Sequence, residues 1–147
     1  MPVGIVNVFR TELYNITNLS CSKFVHDKEQ VIYLTVVGRD DLKRDIITIY
    51  NITGYEENNF TTFTKQISDF NIKKLAWLDK KNITTLVSCG FENIVIWKIK
   101  NKFISNTPLK LNEHAKGTTF HDFDVLKKKV SNKEILYLIY FVSSRGF

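Results

Sequence analysis

The sequence predicts an all-β fold, and three observations carry that expectation. Apolar and polar residues alternate over short runs, the period of half-buried strands, and no stretch carries a sustained helical stripe. The β-branched and aromatic load is high: 16 Ile, 11 Phe, 6 Tyr and 2 Trp stand against 6 Gly and 2 Pro, a mixture that suits pleated surfaces. Polar corners rich in Gly, Asn, Asp and Lys punctuate the runs, and these residues take turn conformations readily. With 147 residues, 44% hydrophobic and 24% charged, the chain can bury a core and lacks the composition of a disordered one.

Taken in order, the alternating runs are GIVNVF (Gly4–Phe9), SKFVH (Ser22–His26), VIYLTVV (Val31–Val37), DIITIYNI (Asp45–Ile52) and FTTFTKQ (Phe60–Gln66). They continue with IKKLAWL (Ile72–Leu78), TTLVSC (Thr84–Cys89), NIVIWKI (Asn93–Ile99), TPLKLN (Thr107–Asn112), HDFDVL (His121–Leu126) and ILYLIYFVS (Ile135–Ser143). The corners expected between them are Gly38–Asp45, Asn51–Asn59, Asp79–Asn82, Gly90–Asn93 and Lys127–Glu134.

The chain repeats itself. Phe9 in VNVFR, Tyr50 in ITIYN and Trp97 in IVIWK end comparable strands, at spacings of 41 (50 − 9) and 47 (97 − 50) residues. Glycine corners precede two of them, LTVVGRD and LVSCGFE, and a third such corner begins at YFVSSRGF. Four strands per period of about 40 to 47 residues is the signature of a WD40-type β-propeller blade. The Trp-Asp pair itself is absent, since Lys98 follows Trp97, Asn51 follows Tyr50 and Arg10 follows Phe9. Glu113-His114 stands where a Gly-His dipeptide belongs.

The blades are expected at 1–16 (the end of one), 20–67, 72–112 and 120–147 (the start of another). About three blades make an incomplete ring, because propellers close with roughly four to eight. Neighbouring blades or chains are therefore expected to complete the open sheet edges.

From Val31 onward, the corner Ser88-Cys89-Gly90-Phe91-Glu92-Asn93 with Trp97 closing the strand is followed by NTPLKLNEHAKGTTFHDFDV and LYLIYFVSSRGF. This order and spacing resembles the WD repeat-containing protein 90 family of centriolar and ciliary proteins. TVVGRDDLKRDIITIYNIT is similar to the preceding blade, and flagella-associated and echinoderm microtubule-associated propellers share such corners. The resemblance implies a structural protein of centriole or axoneme microtubules, with tubulin and other axonemal or centriolar proteins as partners.

No run approaches the roughly 20 apolar residues of a membrane helix, and the N-terminus has no signal-peptide pattern, so a cytoplasmic, cytoskeletal chain is expected. Reduced cysteines follow from that compartment. The sequons at Asn15, Asn18, Asn51, Asn59 and Asn82 then reflect composition rather than glycosylation. Cys21 and Cys89 read as small buried strand residues, and His26, His114 and His121 are not placed by any motif to serve as bases.

His121, Asp122 and Asp124 do not all share a strand face, zinc spacings are missing, and no phosphate-binding or dinucleotide glycine loop occurs. A non-enzymatic chain without cofactor or metal is expected. The net charge of +6 favours anionic partners. Lysine outnumbers arginine 17 to 4, which argues against specific nucleic-acid recognition, where the planar Arg fork leads.

Candidate contacts for an acidic partner are Lys73, Lys74, Lys80 and Lys81, then Lys98, Lys100 and Lys102, whose alternation points them one way, and Lys127, Lys128 and Lys129. A protein-interaction module of an RNA-associated or trafficking complex is the alternative.

Overall fold

The computed structural model describes residues 11–145, apart from 27, 58, 80 and 81. Its strands form three antiparallel sheets, each assembled in chain order. The first holds β1 (Tyr14–His26), β2 (Glu29–Arg39), β3 (Asp45–Gly54) and β4 (Asn59–Ile67). The second holds β5 (Lys74–Asp79), β6 (Asn82–Gly90), β7 (Asn93–Lys100) and β8 (Phe103–Pro108). The third pairs β9 (Phe120–Lys129) with β10 (Ile135–Ser143). Sequential four-stranded antiparallel sheets are propeller blades, so the fold class expected from the repeat holds.

Strand alternation decides how the sheets stack. Tyr33, Val37, Ile47 and Ile49 leave one face of the first sheet and meet Leu75, Trp77, Leu86, Val95, Trp97 and Ile99 of the second. The intervening residues of the second sheet, among them Val87, Cys89 and Ile94, point the other way and meet Phe123 of β9, with Val125, Ile139 and Phe141 packed around them. The middle sheet is therefore apolar on both faces, which is why its strands read as nearly continuous hydrophobic runs. On the far side of the first sheet, Leu13, Val36 and Ile46 form a smaller cluster.

Three elements differ from the sequence reading. β1 starts at Tyr14 rather than Ser22, because pairing such as Asn18↔Val37 and Ser20↔Thr35 holds a polar segment extended that its own pattern does not mark as a strand. β8 is Phe103–Pro108 rather than Thr107–Asn112. Asn101 and Lys102 have φ of 50° and 66°, a two-residue hairpin turn that brings β8 in early, and Pro108, with no N–H to donate, ends it. β9 extends to Lys129, so Lys127–Lys129 are strand residues and the hairpin corner shrinks to Val130–Glu134, closed by Val130 N donating to Glu134 O at 3.0 Å. The run expected at Gly4–Phe9 lies outside the described residues.

Candidate functional site

The repeated corner is a set of backbone approaches that need small residues. A Cβ built on Gly90 would lie 1.9 Å from the carbonyl oxygen of Asn71, which crosses the corner just before β5. Gly38 occupies the same place in the first sheet, where an added Cβ would meet Leu13 Cβ at 2.9 Å and Tyr14 O at 3.0 Å. The segment leading into each blade thus lies against that blade's glycine corner. Asn93, buried, donates from Nδ2 to Phe91 O at 2.8 Å and to Asn71 O at 3.2 Å, binding the corner to the same crossing segment.

Trp97 is fully buried, and its indole N–H donates to Ser88 Oγ at 2.8 Å across β6 and β7. Phe70 meets its ring edge-on at 6.4 Å. Tyr50, the corresponding aromatic of the first sheet, faces the same way but finds Val36 where Trp97 finds Ser88. Its hydroxyl reaches Thr11 Oγ1 at 3.0 Å instead.

Corner acids hold successive blades together. Asp45 accepts from Ile72 N at 2.9 Å and from Arg39 Nε at 3.1 Å, linking the first sheet to the entrance of the second. Glu92 accepts from Gly117 N at 2.5 Å while its own N–H donates to Thr118 O at 2.8 Å, linking the second sheet to the entrance of the third. Glu92 was singled out by the motif. Asp45 stands among several acids in a charged corner, with no motif to mark it.

Cys89 is buried, and burial foremost, with the Asp122 carboxylate second, pushes its thiol up to about 11. A thiol held so firmly protonated is a poor nucleophile at neutral pH. Cys21, expected to be buried, is exposed on β1, because the strand that begins at Tyr14 turns it outward; neither cysteine is in a disulfide. His114 sits in a single 3-10 turn, Glu113–Ala115, and His121 is exposed. Among the described residues, no three His, Cys, Asp or Glu side chains converge as a metal would require.

Ion pairs to the third sheet divide the lysines. Lys74 pairs with Asp122, donates to Phe123 O at 2.9 Å and lies 5.2 Å above the Phe123 ring. Hydrogen bonding to Lys74, then to the Phe123 N–H, lowers the Asp122 carboxyl. Lys127 pairs with Asp79 at 2.5 Å, and Tyr137 donates to the same carboxylate oxygen at 3.1 Å. The hydrogen bond to Asp79 raises Lys127, while desolvation, then Asp79, raises Tyr137. These contacts join the start of β5 to the start of β9 and the end of β5 to the end of β9, so the two strands run side by side in one direction. Between them and β1 lies a cleft of about 530 Å³ lined by Asn18, Ser20, Ala76 and Asp124, among others.

β5, β7 and β9 share that direction, so Lys98 and Lys100 of β7 gather with Lys128 and Lys129 of β9 at one end of the second and third sheets. Lys102 lies there too, but in the β7–β8 turn rather than in strand register, which corrects the expected alternation of all three. All five are exposed and form no ion pair with the described residues. Lys73 is exposed at the opposite end, beside Lys74, and Lys80 and Lys81 lie outside the described residues. Five of the candidate lysines therefore lie at one end of the strands, while Lys74 and Lys127 are held in ion pairs to the neighbouring sheet. Sequence gave no signal for those two engagements, since Asp79 and Asp122 lie 48 and 48 positions from their partners.

Over 110 residues, 73% of the chain, the sequence is 24% identical to WD repeat-containing protein 90 of Xenopus tropicalis, of which that stretch is 6%. The fold is that of WD-repeat propeller blades. The propeller segment matches no family model and no solved structure.

Proposed function

We propose that the propeller segment is a non-enzymatic scaffold that docks on the acidic wall of ciliary or centriolar microtubules through the lysine end of its second and third sheets. The carrying observation is the group Lys98, Lys100, Lys102, Lys128 and Lys129, exposed together without ion pairs to the described residues. Several cations on one rim raise the local potential and steer an anionic polymer, an attraction that salt screens over a Debye length of about 10 Å. The sequence resemblance to centriolar and ciliary WD-repeat proteins supplies the choice of polymer.

Co-sedimentation with polymerised tubulin tests this. Binding is expected to weaken steeply between low and physiological salt, and Lys128→Glu with Lys129→Glu is expected to weaken it about tenfold, the size of one to two kcal/mol of charge complementarity. Lys73→Glu, at the opposite end, is expected to leave it unchanged. Binding that ignores salt and the double reversal, or that RNA displaces in competition, would count against a microtubule partner.

A further inference from the structure

The β9–β10 hairpin outgrows the sheet it packs on. β5 ends at Asp79, whose carboxylate takes Lys127 and Tyr137, and beyond that level the hairpin continues through Lys128↔Leu136 and Lys129↔Ile135 to its turn at Val130–Glu134. At about 3.3 Å per residue, these further rungs project about 7 Å past the end of β5. The projection is braced at its foot by Asp79 and closed at its tip, where Val130 N donates to Glu134 O at 3.0 Å and Lys133 N to Ser131 Oγ at 3.3 Å.

Strand alternation decides which side chains the projection bares. Phe123, Val125, Ile139 and Phe141 share the face that packs on the second sheet, and Lys129 and Ile135 continue that face outward. Phe123 is 4% exposed, whereas Ile135 is 45% exposed and Val130, at the turn, 55%, because the second sheet stops short of them. At the foot of the projection a notch of about 220 Å³ is lined by Leu78, Asp79, Thr84, Thr85 and Tyr137. Lys128, Lys129 and Lys133 stand beside the two bare aliphatic side chains, form no ion pair with the described residues and outnumber the acid of the tip, Glu134. Projection and notch are both properties of β5, β6, β9 and β10 alone.

We infer that the tip of the β9–β10 hairpin holds an acidic peptide segment that carries apolar side chains between its carboxylates. Lysines on an aliphatic tip offer both halves of such a contact. Lys128, Lys129 and Lys133 meet the carboxylates, while Val130 and Ile135 cover an apolar side chain whose end enters the notch. The inference deepens the docking reading and rests on it for the choice of an acidic protein over other anions. It divides the lysine end into two roles: Lys98, Lys100 and Lys102 steer at long range, and the hairpin tip adds an apolar contact that salt does not screen.

Two short synthetic peptides of equal length and charge test this on the full chain without tubulin, one of glutamates interspersed with leucines and one with serines in place of the leucines. The leucine peptide is expected to slow amide exchange at Lys127–Tyr137 and to bind about tenfold tighter than the serine peptide, the size of a partly buried aliphatic contact. Val130→Ser with Ile135→Thr is expected to abolish that preference and leave the weak, salt-sensitive binding of both peptides, whereas Lys128→Glu with Lys129→Glu is expected to weaken both alike. Unchanged exchange at Phe123 in each variant reports an intact fold. No binding of the leucine peptide, equal affinity for the two, a leucine preference that survives the Val130 and Ile135 changes, or protection elsewhere would overturn the inference. Tighter binding to phosphatidylserine vesicles, lost in the same aliphatic variant, would overturn it as well by assigning the tip to a membrane surface. A leucine preference that holds in a chain that fails to bind polymerised tubulin would support the tip and remove the docking reading alone.

Discussion

A methyl group at position 90 would stand 1.9 Å from Asn71 O, a backbone atom that cannot swing aside, whereas at position 38 the nearest contacts are 2.9 to 3.0 Å. Gly90→Ala is therefore expected to destabilise the chain by about 3 kcal/mol and Gly38→Ala by about 1 kcal/mol, read from urea midpoints at unchanged slope. Equal effects would remove the special role of the Asn71 crossing. Cys89 makes a second prediction. Its thiol is raised from 9.0 to about 11, so the folded state keeps a proton that the unfolded state releases. The contribution is complete below about pH 9 and declines as pH rises toward 11, by about 3 kcal/mol in full. Cys89→Ala, less stable at neutral pH because of the cavity it leaves, should show a flatter decline over that interval, and parallel profiles would refute the assignment.

Asp45 shows how an element is fixed by one side chain. It gathers Arg39 Nε and Ile72 N at the corner between β2 and β3 and so joins two blades. Asp45→Ala leaves a buried N–H without its acceptor and is expected to cost about 3 kcal/mol in thermal or urea unfolding, with Asp45→Asn retaining part of the loss. At the other interface, Lys127→Glu places a carboxylate against Asp79 and is expected to loosen β9 from β5, seen as faster amide exchange in both; the Lys128→Glu, Lys129→Glu pair is expected to leave exchange unchanged. Strands whose own residues alternate, β2, β3, β6 and β7, were legible in sequence to within two or three residues. Those set by a partner were not: β1 owes its polar first half to pairing with β2, and β8 owes its position to left-handed Asn101 and Lys102. Asn101-Lys102 lacks the glycine that marks the commonest two-residue hairpin turns, so nothing in the sequence signals that hairpin. The glycine corners, Trp97 and Glu92 were visible as motifs, while the engagement of Lys74 and Lys127 depends on sheet stacking that no local pattern encodes.

Across the whole molecule, strands of equal direction in the second and third sheets bring lysines distant in sequence to one end, a long-range electrostatic surface. The most direct measurement is a cryo-EM map of microtubules decorated with the chain. The propeller segment is expected to contact the tubulin wall through the end that carries Lys102, Lys128 and Lys129. A bare lattice at low salt, or contact through the opposite end at Lys73, would contradict it.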